Sequence, residues 1–77
     1  MSNPKAYDPQ EGYRYHILCR NPDYGRRWEH CDYARDNREK NYLIGEYSLG
    51  YGPEWQFKAI VQPRKYWPTK EDRYVRV

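Results

Sequence analysis

His16, Cys19, His30 and Cys31 are the residues of this chain whose atoms best suit a metal such as zinc. Structural zinc sites pair their ligands at spacings such as C-x₂₋₄-C or H-x₃₋₅-H, and the four residues do not follow them. His30 and Cys31 are adjacent, so on a strand they point to opposite faces. At most two or three of the four converge, and no metal or other cofactor is expected. Catalysis is as thinly provided. Ser2 and Ser48 are the only serines, and neither lies in a nucleophile motif. There is no glycine-rich phosphate loop and no paired-carboxylate motif. A small metal-free ribonuclease of the toxin kind could use His16 or His30 as a base, with arginines holding the phosphate. The plainer alternative makes each histidine an ordinary sheet residue. Nothing assembles nucleophile, base and electrophile together, so the expected protein is not an enzyme.

Binding chemistry is far better supplied. The chain holds ten tyrosines and three tryptophans against one phenylalanine. A core alone is well served by phenylalanine, whereas tyrosine suits a ring that is dry on one side and wet on the other. Tyrosine, tryptophan and arginine also dominate interface hot spots. Two clusters carry these types. The first is a turn, Tyr24, Arg26 and Arg27, followed by Trp28. Its arginines could clasp an acidic patch, or remain solvated while Trp28 joins the core. A core role is expected for Trp28. The second is the end of the chain, with Arg64, Lys65, Tyr66, Trp67, Lys70, Arg73, Tyr74 and Arg76. Cations interleaved with rings can pair phosphates and stack on bases. The same residues can serve as protein-contact hot spots, or Tyr66 and Trp67 can fold back over the sheet.

These side chains need elements to position them. Tyr13, Tyr15, Ile17 and Cys19 alternate with Arg14, His16, Leu18 and Arg20, the two-residue period of a strand over residues 13–20. Asn21, Pro22, Asp23, Tyr24 and Gly25 form a turn, and residues 27–33 return as the second strand of a hairpin. Asp36 with Glu39 has the form of a helix N-cap and its reciprocal carboxylate. Leu43, Ile44, Tyr47 and Tyr51 then make one helical stripe, stopped by Gly50, Gly52 and Pro53. A strand over residues 42–51 competes with this reading, because Leu43, Tyr47, Leu49 and Tyr51 also fit a two-residue period. Trp55, Phe57, Ala59 and Val61 alternate with Glu54, Gln56, Lys58 and Ile60 in a closing strand that Pro63 ends. The expected fold is therefore α+β, a small ββαβ domain with a three-stranded antiparallel sheet and one helix on one face. Its parts are a flexible leader at 1–11, the core at 12–62 and a basic aromatic segment at 63–77. The sheet face away from the helix would expose Arg14, His16 and Arg20.

Size and charge narrow the partner. A chain of 77 residues is one domain, and it buries only about 60–65% of its unfolded surface. Aliphatic residues are scarce, and a homodimer would ease that shortage. The net charge is +3, yet residues 1–62 hold nine basic and nine acidic residues. The excess lies in residues 63–77, a basic end that would steer toward nucleic acid or an acidic protein. No apolar run is long enough to span a membrane, and no signal peptide is visible. A soluble cytosolic protein is expected, with Cys19 and Cys31 as reduced thiols. The hairpin register would set Cys31 opposite residues near His16 and Ile17 rather than opposite Cys19.

The run Tyr15-His16-Ile17-Leu18, then Asp23-Tyr24-Gly25-Arg26-Arg27-Trp28, then Glu46-Tyr47-Ser48-Leu49-Gly50-Tyr51-Gly52, then Trp55-Gln56-Phe57-Lys58 resembles small proteins of phages and other mobile elements. The likeness covers about residues 13–61 and rests on the pattern of strand, D-Y-G-x-x-W turn, helix ending in E-Y, and strand. It implies the fold and a genetic neighbourhood, and it carries over no catalytic residue. Proteins of that kind include host-takeover and anti-defence inhibitors, anti-CRISPR proteins among them, which commonly act by occupying a surface. The expected function is thus an inhibitor that sterically blocks a host protein or nucleoprotein complex that processes nucleic acid. The alternative is direct binding of single-stranded nucleic acid. The balanced charge of residues 1–62 speaks against a broad nucleic-acid groove.

Overall fold

The computed structural model describes residues 8–25 and 27–68. Its order is β1 (Tyr15–Arg20), β2 (Glu29–Ala34), α1 (Asn37–Tyr51) and β3 (Gln56–Val61), followed by a 3-10 turn at Arg64–Tyr66. This is the expected α+β arrangement. β1 is the middle strand, antiparallel to β2 on one side and to β3 on the other. Both hairpin strands are shorter than the alternation predicts, beginning at Tyr15 and Glu29 rather than at 13 and 27.

Register sorts the side chains. Residues paired across strands share a face. Ile17 stands opposite Asp32 and Ala59, and Cys19 opposite Glu29 and Phe57. His16 stands opposite Tyr33 and Ile60, and Leu18 opposite His30 and Lys58. The pairing with β2 slips between Ile17 and Leu18, which leaves Cys31 as an extra residue in a β-bulge.

The helix covers the face of Ile17 and Cys19. The Asp36 carboxylate accepts the Glu39 N–H at 2.8 Å, satisfying one of the orphan amides of the first turn. The Glu39 carboxylate reaches back to the N–H of Arg35, at 2.7 Å, one residue before the cap. At the other end Gly52 adopts φ +101°, and its N–H donates to the Ser48 carbonyl at 3.1 Å. Gly50 does not stop the helix, because a glycine with ordinary helical φ only weakens it. The strand alternative for residues 42–51 is thereby overturned: Leu43, Ile44 and Tyr47 form a half-buried stripe facing the sheet. The Tyr47 hydroxyl donates to Asp32 Oδ2 at 2.6 Å, and the Tyr47 and Tyr51 rings lie 6.4 and 5.6 Å from the Phe57 ring.

The buried residues concentrate on the middle strand. Ile17, Leu18 and Cys19 are buried together with Ala34, and so is His16, at 1% exposure. His16 therefore corrects the expectation of an open histidine. Tyr33 stacks on it at 4.5 Å between ring centroids, and Tyr13 stacks on Tyr33 at 5.3 Å.

The chain on either side of the ββαβ core is tied together. Of the leader at 1–11, residues 8–11 are described, and Asp8 and Gln10 among them hydrogen-bond to the core. Gln62 is 3% exposed. Its Oε1 accepts the Gln10 N–H at 2.9 Å, and its Nε2 donates to the carbonyls of Gln10 and Tyr13 at 3.0 and 2.7 Å. The Tyr33 hydroxyl donates to the Asp8 carbonyl at 2.6 Å. The N–H groups of Gly12 and Tyr13 both donate to the Tyr66 carbonyl, at 2.8 and 3.0 Å. Among the described residues no helix is long and apolar enough to cross a membrane.

Candidate binding surface

The hairpin tip is built by its own polar residues. Asn21 is buried, and its Oδ1 accepts the Asp23 N–H at 2.9 Å. Its carbonyl accepts the N–H groups of Tyr24 and Gly25, each at 3.0 Å. This side-chain-closed turn projects Tyr24, which is 87% exposed. Arg27 is exposed beside it. Asn21, Tyr24, Gly25, Arg27, Glu29 and Trp55 line a shallow groove there. Arg26 lies outside the described residues.

Trp28 follows on the face away from the helix. It is half-buried and belongs to no core cluster, which corrects the expected core role. The physical reason is the company it keeps. The Arg20 guanidinium lies 4.5 Å and the Lys58 ammonium 4.6 Å from the ring centroid. A ring holding two cations keeps them partly in water, so it stays at the surface. Arg20 Nε also donates to Gln56 Oε1 at 2.7 Å. The register brings no carboxylate from the strands to this side of the sheet, although Asp8 lies near enough to act on His16 and Tyr33. His16, Leu18, Arg20, His30, Tyr33, Gln56, Lys58 and Ile60 occupy it, whereas Glu29 and Asp32 pair with residues of the helix-covered face.

The second predicted cluster is arranged differently. Tyr66 and Trp67 fold back and are half-buried, while Arg64 and Lys65 are exposed. The Trp67 indole N–H donates to the Gln62 carbonyl at 2.7 Å. The guanidiniums of Arg14 and Arg64 lie 4.3 and 4.9 Å from its ring. Lys65 Nζ is 5.3 Å from the Tyr66 ring. Lys70, Arg73, Tyr74 and Arg76 lie outside the described residues. The structure thus separates the candidates into a hairpin-tip group of Tyr24 and Arg27 and a 3-10 group of Arg64, Lys65, Tyr66 and Trp67.

The would-be metal ligands divide between the two faces. His16 Nε2 and His30 Nδ1 share a hydrogen bond at 3.0 Å on the side away from the helix. Burial, and then the neighbouring His30, push the His16 pKa down, so the buried ring favours its neutral form. Cys19 and Cys31 lie on the helix side, where each perturbs the other's titration. Among the described residues no three histidine, cysteine or acidic side chains gather to hold a metal ion.

Compared with known proteins, the chain matches no family model, no curated protein and no solved structure. Sequence reading passed over Lys58 and Gln62. Lys58 was detectable as a cation on the outer side of an alternating strand. Gln62 left no local signal, because its partners are 52 and 49 residues away.

Proposed function

We propose that this protein is a non-enzymatic binding module that works by occupying a surface, as an inhibitor of a host protein complex that processes nucleic acid. One observation carries the reading: Trp28 holds Arg20 and Lys58 on a sheet side to which the described strands contribute no carboxylate, next to Tyr24 and Arg27 at the hairpin tip. Exposed tyrosine, arginine and tryptophan are the residue types that anchor interfaces. The two cations are already ordered by the ring and by Gln56, so less side-chain entropy is lost when an acidic partner arrives. The partner favoured by this arrangement is an acidic protein surface. Trp28 already engages cations and Trp67 is tied into the fold, which leaves fewer open rings for stacking on bases.

The test is capture of partners from a host lysate by tagged protein, with and without nuclease, repeated with the Arg27→Glu/Lys58→Glu variant. A defined complex that survives nuclease and is lost with the variant supports the proposal. Either charge reversal should weaken binding at least about tenfold, the factor equivalent to 1.4 kcal/mol. Capture that disappears with nuclease, with affinity for naked single strands falling steeply with salt, would instead make the protein a nucleic-acid binder. Undiminished capture by the variant would remove this face from the site.

A further inference from the structure

The register expectation for the two cysteines is half right. Cys31 does stand near the level of Ile17, in the bulge between the His30 and Asp32 pairs. Yet it also neighbours Cys19, because the two side chains share the helix-covered face, where diagonal neighbours approach each other and where each perturbs the other's titration. The bulge shortens that diagonal, since Cys31 is inserted between the Leu18–His30 and Ile17–Asp32 levels instead of standing two full levels from the Cys19–Glu29 pair. Both thiols are free, and each lies near enough to perturb the other's titration. Their exposures differ: Cys19 is 5% exposed and Cys31 is half-buried.

We infer that Cys19 and Cys31 form a site of reversible oxidation, which takes a small disulfide such as oxidised glutathione and closes to an intramolecular cross-strand disulfide. The asymmetry in exposure sets the order of events. The Cys31 thiolate attacks one sulfur of the small disulfide, forms a mixed disulfide and releases one thiolate. The Cys19 thiolate then attacks the Cys31 sulfur and releases the second. Two protein thiols become one disulfide, one small disulfide becomes two thiols, and the protons pass to the released thiolates.

The surroundings control the rate. Burial, the adjacent Cys19 and then Asp32 push the Cys31 thiol up to about 12, and burial also raises Cys19. Among the described residues no cation favours the thiolate, so the pair is slow near neutrality and accelerates about tenfold per pH unit as thiolate appears. The product would fasten β1 to β2 immediately behind the turn that bears Tyr24 and Arg27, closing the intervening segment into a loop and narrowing the conformations open to it.

The experiment exposes the folded, reduced chain to oxidised glutathione at about pH 8.5, with acid quenching, intact mass and peptide mapping. The expected product is a monomer lacking two hydrogens, with Cys19 joined to Cys31. Cys19→Ser should halt at a mixed disulfide on Cys31, and Cys31→Ser should react at least about tenfold more slowly, because its remaining thiol is buried. The same equilibrium measured in denaturant gives the effective concentration of the thiols in the open chain. The folded value should exceed it at least about tenfold if the fold holds the sulfurs together. A folded value equal to or below the open-chain value would overturn the inference. So would a stable mixed disulfide on the parent protein, or a chain left unmodified.

Discussion

Replacing Gln62 tests the clasp between the two ends of the core most directly. The side chain is buried and makes three hydrogen bonds, two as donor and one as acceptor. Its orientation is fixed, because a backbone N–H requires the oxygen and backbone carbonyls require the nitrogen. Gln62→Leu keeps the approximate volume and removes all three bonds. At about 1 kcal/mol net for each, the loss is about 3 kcal/mol, and the added apolar burial returns about 1 kcal/mol. The expected destabilisation is therefore about 2 kcal/mol, a large part of what so small a domain has to spare. Urea unfolding followed by tryptophan fluorescence reads it as a lower midpoint at unchanged slope. Gln62→Glu should be worse at neutral pH, since an ionised carboxylate faces the Gln10 and Tyr13 carbonyls with no proton to give. It should recover partly under acid, when the carboxyl becomes a donor. A change below about 0.5 kcal/mol for Gln62→Leu would refute the reasoning, because it would mean that these bonds exchange evenly with water.

Gly45 is exposed inside α1, and a Cβ placed there meets nothing within 4 Å. Gly45→Ala should therefore stabilise by about 0.5–1 kcal/mol, read as a higher urea midpoint. The His16 pKa is lowered from 6.5 in the fold, so below 6.5 the unfolded chain binds the proton more readily. Stability should hold above that value and fall with pH through the window below it, by at most about 1.4 kcal/mol per pH unit for one proton. Equal urea midpoints at about pH 7.5 and 5.5 would contradict this assignment. Tyr47→Phe removes the hydroxyl that donates to Asp32 and should cost about 1.5–3 kcal/mol, as for a bond to a charged acceptor. An unchanged midpoint would show that Asp32 is satisfied without it.

The parts of this fold that were legible in the sequence are those written by near neighbours. Asp36 and Glu39 announce the start of α1 because capping acts over three residues, and Asn21, Pro22 and Gly25 announce the hairpin turn for the same reason. The alternation around Phe57 and Ala59 gives β3. What stayed hidden depends on residues distant in the chain. The place of Trp28 is decided by Arg20 and Lys58, on two other strands. His16 is buried beneath Tyr33, on which Tyr13 stacks in turn. An amphipathic ring fits either a core or a cation-bearing surface, so its type alone does not choose. The binding surface was half legible: Tyr24 and Arg27 follow from the turn, whereas Lys58 acquires meaning only beside Trp28.

The clasp at Gln62 also bears on the order in which the molecule assembles. The β1–β2 hairpin and the first turn of α1 close over short stretches of chain. The Gln62 bonds to Gln10 and Tyr13 join residues 52 and 49 apart, so their loop-closure entropy is large. Such contacts come late, once the rest of the sheet has brought their partners within reach. The clasp therefore acts as a latch on the finished domain. Its loss should hasten unfolding while leaving the folding rate nearly unchanged.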